Sequence, residues 1–167
     1  MALEAETVIS HDVDKIVAAY ASRDFHQHLA DTVGSTLESF EVSGDPAHAF
    51  EVTSKQSMSV DRLPDIARKV IKGQVTVTVT ERWSKPDADG SRRSDMDVKI
   101  HSAPVSAAAS QVLHSRGSSE TLSTVRGEVS TSIPLIGKKL KSAAEPYMKK
   151  LVAVQSREVA KWIEQNG

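Results

Sequence analysis

The sequence contains no cysteine, which removes disulfides, thiol nucleophiles and thiolate metal sites together and fits a reducing compartment. It has no excess charge of either sign: 21 lysines and arginines against 22 aspartates and glutamates give a net charge of -1. No global field therefore draws the protein to nucleic acid or to an anionic membrane, and neither is expected as a partner. No apolar run approaches the roughly 18 residues that cross a bilayer. Residues 1–10 show no basic segment leading into an apolar one, the pattern a secretory signal requires. A cytoplasmic protein without stable membrane insertion is the expectation. Aromatic residues are scarce, with two tryptophans, two tyrosines and three phenylalanines in 167 residues.

What is present suits a folded domain. Hydrophobic residues at 39% and charged residues at 26% argue against disorder and coiled coil. A compact chain of this size buries roughly 70% of its unfolded surface, so one domain over residues 1–167 is expected.

Periodicity gives an order of elements. Residues 5–10 are β-like, and Val13, Ile16, Val17 and Tyr20 follow at the spacing of one helix face. Ser22 is placed to cap a second short helix carrying Phe25, Leu29 and Val33 and ending near Gly34. Residues 35–43 and 48–60 alternate apolar and polar side chains around Ser43-Gly44-Asp45-Pro46, which predicts a hairpin. Asp61 and Pro64 open a third amphipathic helix over 64–72, with Ile66, Ala67, Val70 and Ile71 on one side and Gly73 as its stop. From Gln74, Val75 to Thr80 alternates strictly with β-branched residues throughout, a clear strand. Pro86 to Gly90 is turn chemistry, and Met96, Val98 and Ile100 mark the return strand. Residues 105–115 and 120–133 read as two further strands thinly furnished with bulky side chains.

The last segment, Leu135 to Gln165, places Ile136, Leu140, Ala144, Tyr147, Leu151, Val154 and Trp162 on one helical stripe. Pro146 lies inside it, and a kink or two abutting helices is expected there. This order puts the helices on one face of an antiparallel sheet of about seven strands that curls round the long helix, an α+β helix-grip architecture. The few aromatics and the run Ala107, Ala108, Ala109 leave room for an interior cavity. The alternative is an interior packed solid by Leu, Ile, Val and Met.

Several segments carry a family resemblance: Leu63-Pro64-Asp65, Val79-Thr80-Glu81-Arg82-Trp83, Ala88-Asp89-Gly90, Ala103-Pro104-Val105-Ser106 and Gly127-Glu128-Val129, then Ser132 to Lys139 and the closing Lys161-Trp162-Ile163. Spread over most of the chain, they resemble an uncharacterised bacterial family of START-like proteins. Its superfamily includes lipid-transfer domains, polyketide aromatase/cyclases and plant hormone-binding proteins. The resemblance implies a helix-grip (START-like, Bet v 1-like) fold with a pocket between sheet and C-terminal helix, and it implies no reaction. The Gly-rich loop of the plant pathogenesis-related branch is missing, since Ser43-Gly44-Asp45-Pro46 stands between the second and third strands.

Within that frame the expected pocket lining is Val77, Val79, Glu81, Trp83, Met96, Val98, Ile100, Leu140, Ala144, Tyr147 and Leu151. Glu81 shares alternation parity with Val75, Val77, Val79 and Trp83, so an unbroken strand places its carboxylate on the apolar face, where desolvation raises the pKa. A bulge or an exposed strand end before Pro86 would instead leave it in water. Arg126 is a candidate to face Glu81 from a later strand.

No metal or cofactor is expected. His26 and His28, two apart on a helix, point about 200° from each other and cannot share one ion. Asp24, His28 and Asp31 share a face that reads as solvated surface. The other histidines (His11, His48, His101, His114) are scattered, with no nucleophile elbow near them. Asp87-Ala88-Asp89-Gly90 opens like a calcium loop, but Val98 stands where the twelfth-position carboxylate should be. Lys138, Lys139 and Lys141 form either a solvated face or a site for an anionic group, and helix 64–72 either simply packs or acts as a lid. Three functional readings follow: a binding or transfer module enclosing a small apolar ligand, an aromatase/cyclase-type enzyme, or a ligand-free interaction protein with a packed core. The sequence does not specify the oligomeric state.

Overall fold

The computed structural model describes residues 2–69, 71, 73–101, 103–133 and 135–166. The elements run β1 (Ala2–Ile9), α1 (Val13–Tyr20), α2 (Arg23–Val33), β2 (Thr36–Gly44), β3 (Phe50–Ser59), a 3-10 turn (Val60–Arg62), α3 (Asp65–Arg68), β4 (Gln74–Trp83), β5 (Arg92–His101), β6 (Val105–Ser115), β7 (Thr121–Thr131) and α4 (Gly137–Asn166). The strands form one seven-stranded sheet in the order β1-β7-β6-β5-β4-β3-β2, with each pair antiparallel. Successive strands from β2 to β7 are neighbours. Only β1 leaves that sequence, to pair with β7 at the far edge from β2. The chain must therefore cross the full width of the sheet between its first and second strands, and α1 and α2 make that crossing. α4 then lies on the same face, against β1, β7, α1, α2 and α3.

Local chemistry explains the helix ends. The Asp12 side chain accepts from the Lys15 amide at 2.9 Å and caps α1. Ser22 accepts from the Phe25 amide and caps α2, which Gly34 ends in the left-handed region at φ 77°. In the β2–β3 pair the register slips between Leu37 and Ser39. This bulge lets Leu37 and Phe40, three apart, both face inward. Gly44 closes the hairpin at φ +96°, where a Cβ would lie 2.9 Å from the Ala49 carbonyl oxygen.

One expectation needs correction, and one of two alternatives at Pro146 falls. The third helix is a single turn, Asp65–Arg68, and not an element over 64–72; Val70 lies outside the described residues. α4 runs as one helix of 30 residues past Pro146 and does not split in two. Proline removes the amide that would serve the carbonyl of Ser142. Both Ser142 and Pro146 are on the exposed side of the helix, so water can take the bond.

The end of the sheet near the β2–β3 turn is held by an arginine that periodicity did not single out. Arg92 is 1% exposed. Its guanidinium donates to the carbonyls of Ser84 (2.9 Å), Pro46 (3.0 Å) and His48 (2.8 Å) and lies 5.6 Å from the Phe50 ring centroid. The planar fork of arginine suits three diverging acceptors. Arg92→Ala should lower unfolding free energy by about 3 kcal/mol, since three partly buried carbonyls lose a charged donor and a fully buried side chain is removed. Arg92→Lys should recover only part of the loss. The readout is a lower urea midpoint at unchanged slope.

Candidate functional site

Because the register is regular from β3 to β7, inward side chains form rows across the sheet. The row nearest the β2–β3 turn runs Phe50, Trp83, Ser94, Gln111, Val125. The next runs Val52, Glu81, Met96, Ala109, Gly127, and ends on Leu3 of β1. A third runs Ser54, Val79, Val98, Ala107, Val129. The first row meets α1, α2 and the C-terminal half of α4 in a filled core containing Tyr20, Phe25, Leu113, Val159 and Ile163. The second and third rows are short of volume where Ala107, Ala109 and Gly127 stand.

A cavity of about 360 Å³ opens there between the sheet and α4. Apolar side chains predominate in its wall: Val77, Val79, Met96, Val98 and Ile100 from β4 and β5, and Leu140, Ala144, Tyr147, Met148 and Leu151 from α4. Ala107 and Ala109 line it, whereas Ala108, expected to leave space alongside them, turns to the outer face. Beyond the cavity, α3 and the start of α4 form a second small cluster in which Ala67, Ile71, Val75 and Leu140 pack with Leu63, Ile66 and Ile133.

Glu81 sits at the boundary between the filled end and the cavity. It is 4% exposed, and its strand continues through it without a bulge. Burial pushes its pKa up from 4.5 to about 7, against a smaller opposing effect of the Trp83 indole, which donates to it. That hydrogen bond is long, 3.4 Å from Nε1 to Oε2. Tyr20 is buried beside it, with its phenol pKa raised by desolvation first and by the Glu81 charge second. The Tyr20 hydroxyl has no partner within hydrogen-bonding geometry among the described residues, and neither has that of Ser94. Gln111 donates to Ser123 at 3.0 Å.

Every expected lining residue borders the cavity except Trp83. Trp83 is 2% exposed in the filled core, stacked on Phe50 at 6.1 Å and tilted against Tyr20 at 5.9 Å. Arg126 does not face Glu81: it points outward from β7 and pairs with Glu4 at 3.5 Å. The odd-numbered residues of β7 face inward, so residue 126 cannot.

His28 is not part of a free solvated face, since its Nε2 lies 2.9 Å from Glu158 of α4. That contact, followed by Arg157, holds the Glu158 carboxyl below its ordinary value. Sequence reasoning missed His26, which is 6% exposed and borders the cavity. Its spacing from Leu29, Ala30 and Val33 carried the signal. Its Nε2 bonds the Tyr20 carbonyl at 2.8 Å, which fixes the proton on that nitrogen. Burial lowers its pKa, against a smaller opposing effect of the Tyr20 carbonyl, and so favours the neutral ring.

The Glu81 environment has a measurable signature. The folded chain holds this proton more tightly than the unfolded one, so the stabilising contribution is complete below about pH 4.5 and is lost as pH rises through about 7. The whole effect amounts to about 3 kcal/mol. Relative to wild type, Glu81→Gln should gain stability between about pH 5 and about pH 8, up to that amount, in paired urea unfolding. A difference that stays constant with pH would refute this burial.

Residues 4–163 match the family described as "Protein of unknown function (DUF2505)". No curated protein matches the chain. Among solved structures, the chain is similar to TTHA0849 from Thermus thermophilus, at TM-score 0.61 and 14% identity over 99% of this chain and 98% of that one. It is similar to the Zhui aromatase/cyclase from Streptomyces sp. R1128, at TM-score 0.60 and 12% identity over 99% and 94%. Norcoclaurine synthase from Thalictrum flavum, solved with dopamine and hydroxybenzaldehyde, gives TM-score 0.55 and 13% identity over 100% and 88%. At such identities the likeness shows the fold alone, and that fold is the helix-grip, START-like and Bet v 1-like arrangement of a curved antiparallel sheet and a long C-terminal helix. By its match over residues 4–163, the chain belongs to the DUF2505 family of proteins of unknown function.

Proposed function

We propose that the protein is a binding or transfer module, acting as one cytoplasmic domain, that encloses a small apolar molecule between its sheet and α4. The observation that carries this reading is the cavity of about 360 Å³, within the usual range for small-molecule sites. Its wall is aliphatic, so affinity would come mainly from burying the ligand's apolar surface. A lipid or polyketide-like skeleton of one to three rings suits that volume and lining. Similarity to a protein solved with aromatic ligands and to an aromatase/cyclase agrees with a ligand of this kind.

A second reading, acid–base catalysis on the enclosed molecule, draws on one specific observation. Glu81 borders the cavity with a pKa of about 7, the value at which a carboxyl both gives and takes a proton at neutral pH. Glu81→Gln would then abolish turnover of a bound polyketide-like substrate while leaving it bound.

Native mass spectrometry of the protein purified from its own host, followed by organic extraction, tests the leading reading. A stoichiometric apolar adduct is expected. Val79→Phe or Ala144→Leu, each filling the cavity from an opposite wall, should reduce its retention at least tenfold. A protein that is repeatedly bare, and shows no thermal shift with a lipid and polyketide-like library, would remove the enclosure reading.

A further inference from the structure

The cavity wall is uneven in charge as well as in polarity. Among its described residues Glu81 is the one acidic side chain, and none is lysine or arginine. His26, the nearest thing to a cation there, spends its Nε2–H on the Tyr20 carbonyl, and burial favours its neutral ring. Among the described residues Glu81 takes part in no ion pair within 4.0 Å, and its hydrogen bond from Trp83 is stretched to 3.4 Å. A carboxylate can accept about four hydrogen bonds, so most of this one's accepting capacity is unspent where it meets the cavity.

The groups facing Glu81 offer no compensating charge. Val52 of β3 and Met96 of β5 pair with Glu81 across the strands, Tyr20 of α1 is near enough to feel its charge, and His26 of α2, Gln111 of β6 and Gln155 of α4 are the polar residues of the same wall. The basic group near the cavity's other end is Arg62, whose charge reaches Tyr147. It follows β3 where Ser59 pairs with Gln74, seven residues along β4 from Glu81. Its guanidinium donates to the Val33 carbonyl at the end of α2 and makes no ion pair with Glu81.

We propose that Glu81 selects the ligand's inward end: the cavity takes a compact apolar molecule ending in an amine or hydroxyl donor, and rejects the same skeleton ending in a carboxylate or phosphate. This rests on the enclosure reading above and adds an orientation to it, with the polar end inward against Glu81 and the apolar body along β4, β5 and α4. A cationic amine completes the carboxylate and a hydroxyl donates to it, whereas an anion there meets a like charge with no cation to offset it.

Displacement of the neutral dye Nile red from the full chain tests this with three ligands of one skeleton: 2-naphthylmethylamine, 2-naphthalenemethanol and 2-naphthoate. At about pH 8, where Glu81 is ionised, the amine and alcohol should each bind at least about tenfold more tightly than the acid. Glu81→Gln should weaken the amine and strengthen naphthoate, each by about tenfold. Should that variant fold poorly, the wild type carries the test alone. Lowering pH from about 8 to about 6 protonates Glu81 while both charged ligands keep their charge, and should weaken the amine and strengthen the acid. Tyr20 keeps its proton over that span, and the Glu81→Gln variant, carried through the same two pH values, separates any response of His26 from that of Glu81.

Naphthoate competing as well as the amine, or an order that neither the variant nor pH alters, would overturn the selection by Glu81 and leave enclosure standing. Failure of the dye and all three ligands to bind would overturn the enclosure reading and this inference with it.

Discussion

The interior depends on where the few aromatic side chains are placed. Tyr20 packs on Phe25 and Trp83 at 5.9 Å each, Trp83 stacks on Phe50 at 6.1 Å, and Phe25 meets Trp162 edge-on at 5.9 Å. Phe40 joins through His26 at 4.7 Å. One cluster thus ties α1, α2, β2, β3, β4 and the end of α4 together, with offset and edge-to-face contacts that add to area burial. Among the aromatics only Tyr147 stands outside it, on the cavity wall. This chain spends nearly all of its large side chains at one end of the curved sheet. Filling one end with aromatics leaves the other to Val, Ala and Gly, and the cavity is the consequence.

That segregation also accounts for Glu81. A carboxylate in the middle of an open apolar cavity would draw in water, and one inside the aromatic cluster would need a cation. At the boundary it is desolvated on one side by Trp83 and Tyr20 and open on the other to whatever the cavity holds. Its raised pKa is thus a property of the filled end, while its unspent accepting capacity faces the cavity. Arg92 solves the opposite problem two rows further along. Also buried, it takes three backbone carbonyls as partners and leaves none of its donor face toward the cavity. Arg92 and Glu81 therefore do different work: Arg92 closes a turn, and Glu81 remains available.

Elements repeating with period 2 or 3.6 were legible in the sequence. The Val75–Thr80 alternation gave β4 and, through its parity, the inward face of Glu81. The α4 stripe likewise gave the opposite wall. What escaped depended on relations between distant segments. Trp83 has the same parity as Val79 and Glu81, yet it lies one row deeper, and only the packing of Tyr20 and Phe50 shows that the cavity stops short of it. The error with Arg126 was one of register, since a shift of a single residue moves a side chain to the other face. His26 was weighed as one of a metal pair when its neighbours on the helix, Leu29 and Ala30, already marked it as inward. The third helix contracted to one turn because amphipathic spacing alone does not carry a helix whose length is below what is stable in isolation.

The two ends of the interior also differ in how firmly they are held, and this bears on any ligand. Core residues at the filled end, such as Ile16, Phe25 and Val159, have essentially no exposure. The far cluster consists largely of half-buried residues, among them Met58, Leu63, Ile66 and Val77, gathered round a one-turn helix. Fewer packed contacts there mean local opening at lower free energy than at the aromatic end. A molecule seated in the cavity would supply contacts that the chain does not make with itself, chiefly to α4 and to the neighbours of α3. Its binding energy would therefore appear as added stability of the weaker end. The weaker end is thus the one that an enclosed molecule would firm up most, while the aromatic cluster, already packed to near-zero exposure, would gain little.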